Sequence, residues 1–513
     1  TIVATLGSVI VGGVLGFFTA VFISKFCPKK LKGAFVTVIN LLAGIPSVIF
    51  GFFGMVVLLP KLGVFSETGS GSGLLAVSLV LGLMILPTVV SLSKTSIDAV
   101  PDSYYEGARA LGATHEQAVF RAVVPAAKSG IVASVILGIG RAVGETMAVI
   151  MVAGNVVEYP KGLFQSFRVL TANIVMEMGY AGDLQLGALI STGVVLLLFI
   201  LIINLLTGLV TSGGKKDKTH KKRSIEPLAK FFHAIKIEKI GKIVAYVSAV
   251  IASIGLISII LFVCVNGIPH LTTQLLFGKH SVRNISIFPA IVTTLMTVGI
   301  SLVIAVPIGV FTAIFFNEYS KKGSKVVRII RSAIDILAGV PSIVYALFGM
   351  VTFVAWFNGR QSILAGSLTI AIMLLPTVVR STEESLKSVS DTLREGSLAL
   401  GAGKVRTIFK VVLPSALPGI ASAIILAMGR VVSESAPFVY TMGNCLTTMP
   451  KGVMSDGTTL AVALYTLAGE GQYLNEAYAT AFVLLVIVLA LNLLANLITK
   501  KLDKKLKGSK NGK

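Results

Sequence analysis

The sequence predicts an all-α, polytopic helical membrane protein, and composition is the first reason. Of its 513 residues, 54% are hydrophobic and only 13% are charged, and the mean hydropathy is +0.89. Soluble domains carry roughly twice that charged fraction. The second reason is that apolar runs of about 20 residues, long enough to cross a ~30 Å hydrocarbon core as helix, recur along the chain.

Eleven such runs predict eleven membrane spans. Five precede a basic segment, at 2–24, 34–59, 74–93, 129–153 and 186–210. Six follow it, at 243–265, 287–316, 327–357, 362–379, 418–443 and 478–499.

The net charge of +22 indicates membrane topology rather than nucleic-acid binding. Most of the 45 Lys and Arg residues fall in alternate loops that lie on one side of the predicted spans. Cytoplasmic loops carry this excess of basic residues in membrane proteins. We therefore expect a multi-pass protein of the cell membrane, with the segment 211–242 and the C-terminal tail in the cytoplasm.

The chain repeats itself. Residues 106–131 align without a gap on residues 395–420, and nearly half of the positions are identical. The same offset of 289 relates Arg141 to Arg430, and LPTVV at 86–90 to LPTVV at 375–379. Because six predicted spans separate equivalent points, the copies have the same orientation, and we expect parallel repeats related by an axis along the membrane normal.

The repeat predicts four regions. These are a first repeat (1–210), a basic cytoplasmic linker (211–242), a second repeat (243–499) and a basic tail (500–513). The second copy begins with a span that the first lacks. We expect two six-span repeats, with the first span of copy one missing from this chain.

Two loops on the basic side share a Glu, Gly, Pro pattern that resembles the coupling-helix loops of ABC importer permeases. The residues are Glu106, Gly112 and Pro125 in copy one, and Glu395, Gly401 and Pro414 in copy two. Secondary carriers built from two six-span halves lack such loops. The resemblance implies a type I ABC importer permease fold, in which these residues contact a cytoplasmic ATPase.

Within that family the chain is most similar to phosphate-importer permease subunits, fused with the C-type half first and the A-type half second. The matching motifs are AGIPS at 43–47 and GRAVGETMAV at 140–149, then AGVPS at 338–342 and GRVVSESAPF at 429–438. Copy two departs from the family pattern at Ser433 and Ser435, on either side of its Glu.

A charged pair inside an apolar run is costly, which favours a functional role. Arg and Glu four residues apart share one helical face and can pair, and two guanidiniums suit a tetrahedral oxyanion such as phosphate. The predicted substrate path comprises Arg141, Glu145, Arg430, Glu434, Ser47, Ser342, Asn155, Asn444 and Arg380. The alternatives are buried structural ion pairs for the Arg and Glu residues, packing kinks at Pro46 and Pro341, and an interfacial Arg380.

The chain lacks the GxxxxGK[ST] phosphate loop, so we expect a permease that is not itself an enzyme. It needs no cofactor of its own, because ATP and Mg²⁺ belong to the partner. The three cysteines have no ligand-like spacing, and no metal site is expected. The resemblance implies a homodimeric cytoplasmic ATPase and an extracytoplasmic phosphate-binding protein as partners, besides the lipid bilayer, and no nucleic acid.

Two other functions stay open from the sequence. The same architecture can serve another oxyanion, such as sulfate or molybdate. An ion-coupled secondary carrier is the third possibility, which the coupling loops disfavour.

Overall fold

The computed structural model describes residues 1–66, 69–212, 237–281, 284–320, 324–444, 446 and 449–508. Within these residues the chain is helical, and its β-structure consists of two isolated bridges, between Gly154 and Phe167 and between Ser281 and Asn284. The all-α prediction is confirmed. Most of the predicted linker, residues 213–236, and the last residues of the tail, 509–513, lie outside the described residues.

Several helices contain short π-helical or 3₁₀ segments, and the bounds below join these segments to their neighbours. Up to residue 212 the helices are Ile2–Phe26, Lys29–Ala43, Ser47–Gly63, Leu74–Asp98, Asp102–Ala110, His115–Ala126, Lys128–Gly144, Met147–Ala153, Leu170–Met178 and Asp183–Ser212. From residue 237 they are Ile237–His270, Thr273–Phe277, Phe288–Tyr319, Lys325–Gly339, Ser342–Val354, Ile363–Lys387, Asp391–Ala399, Lys404–Ser433, Ala436–Thr441, Leu460–Glu470 and Leu474–Gly508.

Eight of the eleven predicted spans overlap a described helix that is long and apolar enough to cross a membrane, although one of these runs, 418–443, is interrupted after Ser433. The other three runs are not continuous helices. The run 34–59 is divided between Ala43 and Ser47, the run 327–357 bends by 103° between Gly339 and Ser342, and the run 129–153 is interrupted after Gly144. Counting each bent pair as one span gives up to ten spans in the described part of the chain.

Proline explains two of these interruptions. Pro46 and Pro341 each stand directly before the residue that begins the next helix. Proline cannot donate to the preceding turn, and it pushes the residue before it out of the α region. Val340 accordingly has φ −64° and ψ 131°, an extended conformation. The kinks expected from the AGIPS and AGVPS motifs are therefore breaks between two helices.

The chain packs into two compact units that do not follow the ends of the predicted repeats. The first unit is Thr1–Ala43, Ile49–Asn173 and Val194–Phe262, and the second is Gly44–Val48, Ile174–Gly193 and Val263–Lys513. The division into the regions 1–210 and 243–499 stays a prediction at the level of sequence.

Helix Ile237–His270 packs within the first unit as far as Phe262, although the sequence assigns most of this helix to the second copy. Its Tyr246 ring lies 4.8 Å from the Phe22 ring, and its Phe262 ring lies 5.4 Å from the Phe53 ring, both edge to face. Aromatic pairs in this geometry add about 0.5–1.5 kcal/mol beyond the area that they bury. The helix that follows the linker is thus part of the packing of the first unit.

Each unit is centred on one long helix. In the first unit, helix Leu74–Asp98 packs against Ile2–Phe26 so closely that a Cβ added to Gly12 would lie 2.2 Å from the Gly82 carbonyl oxygen. In the second unit, helix Ile363–Lys387 packs against Phe288–Tyr319 and Lys404–Ser433. These two central helices carry the repeated LPTVV motif.

Candidate functional site

Arg141 lies in the last turn of helix Lys128–Gly144, at a break in an apolar run. Its Nη1 donates a hydrogen bond to the Thr88 hydroxyl over 2.9 Å. Thr88 follows Pro87 within the central helix of the first unit. The guanidinium is therefore held by a polar side chain of the neighbouring helix.

The second unit repeats this arrangement at the same offset. Arg430 lies in the last turn of helix Leu413–Ser433, and its Nη1 donates to the Thr377 hydroxyl over 3.1 Å. Thr377 follows Pro376 in the central helix of that unit. Both the Arg and its Thr partner are thus retained in the two copies with nearly the same geometry.

The glutamates do not sit where a continuous helix would place them. Glu145 and Glu434 each follow the last helical residue and have extended conformations, with ψ of 134° and 143°. The prediction that the Arg and the Glu of each pair share one face of a continuous helix is therefore wrong. Arg430 and Glu434 still approach each other, with Nε and Oε1 3.6 Å apart, while Oε1 of Glu145 accepts from the Ala148 amide over 3.2 Å.

The break explains why an Arg and a Glu recur at this spacing. A helix carries partial negative charge at its C-terminal end and partial positive charge at its N-terminal end. Arg141 lies in the last turn of one helix, and the Glu145 carboxylate accepts an N–H from the first turn of the next, Met147–Ala153. Each charge therefore faces a helix end of opposite sign. Interrupted helices of this kind form binding sites in membrane transporters.

Ser47 and Ser342 each begin the helix after a proline break, and both are half-buried. By packing, Ser47 belongs to the second compact unit, whereas Arg141 belongs to the first. At the second break, the Tyr345 hydroxyl donates to the Leu337 carbonyl over 2.8 Å. That carbonyl, at the helix end, also accepts from the Val340 amide over 3.1 Å.

Asn155 has a left-handed backbone with φ 58°, just after helix Met147–Ala153. Its Nδ2 donates to the Ile150 carbonyl over 2.8 Å, and its own carbonyl accepts from Arg168 over 2.9 Å. Its Oδ1 is buried and has no hydrogen-bond partner in the described structure. Asn444, the equivalent residue, is exposed, and its carbonyl accepts from the Thr466 hydroxyl over 2.7 Å.

Arg380 forms an ion pair with Asp335 of helix Lys325–Gly339, and its Nε lies 3.0 Å from Oδ1. About half of each side chain is exposed, 48% for Arg380 and 51% for Asp335. The sequence analysis did not foresee this partner. The pair joins the central helix of the second unit, Ile363–Lys387, to helix Lys325–Gly339, which precedes the 103° bend.

The two loops with the Glu, Gly, Pro pattern form short exposed helices, Asp102–Ala110 and Asp391–Ala399, which bury none of their residues. Glu106 and Glu395 are exposed on them. Each helix ends at a left-handed glycine, Gly112 with φ 84° and Gly401 with φ 82°.

The leucine before each glycine is almost fully exposed, 91% for Leu111 and 90% for Leu400. Pro125 lies near the end of helix His115–Ala126, and Pro414 lies within helix Lys404–Ser433. Two equivalent surfaces, each with an apolar residue at its tip, are thus available for a partner.

The described residues contain no group of three or more His, Cys, Asp or Glu side chains that would hold a metal ion. The site chemistry in this part of the chain therefore consists of guanidinium, carboxylate and hydroxyl groups.

Sequence reasoning missed the two threonines. The signal was present, because LPTVV is identical in both copies and proline inside an apolar helix is unusual. It also missed Asp335, for which the sequence alone offers no pairing.

A sequence profile of one family, described as binding-protein-dependent transport system inner membrane component, matches the chain twice, at residues 12–213 and 305–508. The two matches confirm the internal repeat.

Named relatives match both the whole chain and parts of it. The phosphate transport system permease protein PstA homolog of Mycoplasma pneumoniae is 29% identical over 516 residues, covering 86% of this chain and 76% of that protein. The probable ABC transporter permease protein YqgH of Bacillus subtilis is 41% identical over 209 residues, covering 40% of this chain and 68% of that protein. The phosphate transport system permease protein PstC of Mesorhizobium japonicum is 33% identical over 223 residues, covering 40% and 68%.

Proposed function

The chain belongs to the family of binding-protein-dependent transport system inner membrane components, and we propose that it forms the membrane permease of an ATP-driven inorganic phosphate importer. Both permease subunits would be fused in one polypeptide, with the C-type half first and the A-type half second. As a permease component it is embedded in the membrane and is not itself an enzyme.

The observation that carries the proposal is the doubled arginine site. Arg141 and Arg430 each lie at a helix break in an apolar run, and each is held by a threonine of the central helix. A guanidinium offers planar pairs of N–H donors that fit the oxygens of a tetrahedral oxyanion. Relatives named for phosphate transport match this chain over 86% of its length or over one part of it, which supports phosphate as that oxyanion.

The glutamates balance the arginines when no anion is bound. In the second unit Glu434 lies 3.6 Å from Arg430, so an arriving phosphate would replace one acceptor by another. Charge-assisted hydrogen bonds of this kind are about twice as strong as neutral ones. We assign the remaining path residues, Ser47, Ser342, Asn155, Asn444 and Arg380, to the route toward and away from these arginines.

The two exposed short helices would dock on a homodimeric cytoplasmic ATPase, which supplies the energy and holds ATP and Mg²⁺. Their surfaces are equivalent, as a partner made of two identical subunits requires, and each presents an exposed leucine before its glycine turn. An extracytoplasmic phosphate-binding protein would deliver the anion on the other side. The linker and the C-terminus would then lie in the cytoplasm.

ATP-driven uptake of radioactive phosphate tests the proposal. The permease would be reconstituted in liposomes with its ATPase and binding protein, and uptake measured with ATP, without ATP, and with a hundredfold excess of sulfate or molybdate. We expect ATP-dependent uptake that neither competitor suppresses. Suppression by sulfate or molybdate would assign the permease to that oxyanion, and uptake driven by an ion gradient without the ATPase would identify a secondary carrier.

A further inference from the structure

We propose that Thr88 and Thr377 contact the transported anion directly, each donating its hydroxyl proton to an oxygen of the anion that the neighbouring Arg binds. The proposal rests on the proposed function, and it adds a second donor to each arginine site. Neither the family description nor the names of the relatives assign a role to these threonines.

The first observation is the direction of the hydrogen bonds. Arg141 donates to the Thr88 hydroxyl and Arg430 donates to the Thr377 hydroxyl. A hydroxyl has one proton to donate besides its two acceptor lone pairs. Since an arginine cannot accept, the proton of each threonine has to go elsewhere.

Several other threonines in helices of this chain use that proton within their own helix. Thr95, Thr192 and Thr312 each donate to the carbonyl oxygen four residues earlier, over 2.7–3.0 Å. In the described part of the chain, the bond accepted from the arginine is the one hydrogen bond that the Thr88 and Thr377 side chains make. Each site therefore offers an O–H donor that the fold does not use.

The second observation is access. Thr88 is partly exposed, whereas both of its neighbours in the chain, Pro87 and Val89, are buried. Thr377 repeats this pattern between Pro376 and Val378. Polar side chains that served only to lock two helices together would be buried with their neighbours.

The third observation is the open space beside each arginine. Gly140 and Gly429 precede Arg141 and Arg430, and a Cβ added to either glycine would meet no atom within 4 Å. Because each arginine lies 2.9 or 3.1 Å from its threonine hydroxyl, a second guanidinium N–H and the threonine O–H are close enough to bind adjacent oxygens of one tetrahedral anion. Each unit thus presents a two-donor half-site of the same composition.

The test replaces both threonines by valine, which keeps the shape of the side chain but removes the hydroxyl, and by serine, which keeps the hydroxyl. Phosphate uptake is measured in liposomes with the complete transporter. Loss of a hydrogen bond to a charged group should lower uptake by the valine pair at least tenfold, while the serine pair should keep most of it. The matched control is the pair Thr192→Val and Thr312→Val, which should transport like the parent.

A second measurement separates contact with the anion from mere positioning of the arginine. The three native cysteines are replaced by alanine, Thr88→Cys and Thr377→Cys are introduced singly, and labelling by an anionic methanethiosulfonate is timed with and without inorganic phosphate. We expect phosphate to slow labelling at both positions. This readout does not depend on the valine variants folding.

The outcomes distinguish the two proposals. If Arg141→Ala with Arg430→Ala abolishes uptake while the valine pair transports normally, the threonine proposal fails and the arginine site stands. If phosphate leaves the labelling rate unchanged at both cysteines, the threonines only position the arginines, and the proposal is overturned. Full uptake by the double alanine variant would overturn the proposed arginine site itself.

Discussion

The two short exposed helices, Asp102–Ala110 and Asp391–Ala399, have the same shape but are attached to the rest of the chain differently. In the first unit, the Tyr105 hydroxyl lies 2.7 Å from Nδ1 of His115, and Nε2 of His115 lies 3.1 Å from the Lys25 carbonyl oxygen. These are neutral side-chain and backbone contacts. They join helix Asp102–Ala110 to the next helix and to the end of Ile2–Phe26.

In the second unit an arginine takes the place of the tyrosine. Arg394 donates to Glu318 from both Nε and Nη2, over 3.2 and 3.1 Å, and to the carbonyl oxygens of Leu386 and Val389. Glu318 is 9% exposed. One guanidinium therefore ties helix Asp391–Ala399 to the ends of two long helices.

A second difference lies at equivalent positions on the next segment. Glu116 pairs with Lys242 over 2.9 Å, and Arg121 pairs with Glu238, so the helix after the linker is tied to the first loop. The residue equivalent to Glu116 is Val405, which is exposed.

The two loops are alike in their outer features and differ in their inner contacts. The glycine conformation and the exposed leucine are the same in both loops, while the internal attachments have diverged. A surface that must fit a symmetric partner keeps its outer shape, whereas its inner contacts only have to hold that shape.

Substitutions at the two equivalent glycine turns, Gly112 and Gly401, are expected to have the largest effect on transport. Gly112→Asp combined with Gly401→Asp should abolish ATP-driven phosphate uptake, because a residue with a side chain at positive φ costs about 1–2 kcal/mol and shifts the loop. The open space around both glycines lets the chain fold. Uptake and binding of the ATPase are measured together.

Gly359→Asp is the matched control for these glycines. It also has positive φ, 74°, and no atom within 4 Å of an added Cβ, but it lies between helices Ser342–Val354 and Ile363–Lys387. We expect normal uptake. Normal uptake by the Gly112 and Gly401 double variant as well would contradict a coupling role for the turns.

The divergent attachments should differ in strength. Arg394→Ala leaves the nearly buried Glu318 without its arginine, a change that costs about 3–5 kcal/mol for a buried ion pair. Tyr105→Phe removes one neutral hydrogen bond, worth about 1 kcal/mol. Thermal unfolding and hydrogen exchange of each coupling helix should therefore show the larger loss in the second unit.

Adding Glu318→Gln to Arg394→Ala is the control, since it removes the uncompensated charge and should restore part of the lost stability. Equal losses for Arg394→Ala and Tyr105→Phe would show that the two attachments are equivalent after all.

Breaking an ion pair between helix Ile237–His270 and the first loop should have the smallest effect. Lys242→Met breaks a partly exposed ion pair, which is worth at most about 1 kcal/mol. We expect hydrogen exchange to rise, by about fivefold at most, at residues 237–245 while uptake is unchanged. Val405→Glu introduces a carboxylate at the equivalent position of the second unit. We expect this substitution to change neither hydrogen exchange nor uptake. Increased exchange beyond residue 245 would mean that the pair supports the whole helix.

Predictions from the sequence succeeded where a single feature, such as hydropathy or the internal repeat, determines the structure. The long apolar runs predicted the helices, and the offset of 289 predicted that Arg141 and Arg430 occupy equivalent places, as Gly112 and Gly401 do. It failed at Glu145 and Glu434, because apolar composition continues across both breaks, so that hydropathy cannot show where hydrogen bonding between turns stops. Pairs such as Arg380 with Asp335 depend on how helices pack, which periodicity does not determine.

Direct phosphate binding to the purified complex of permease and ATPase, without the binding protein, tests the central proposal that Arg141 and Arg430 each bind the transported anion. The parent complex should bind radioactive phosphate, and the variant carrying Arg141→Met and Arg430→Met should bind none while remaining assembled. Equal binding by the parent and this variant would contradict the account.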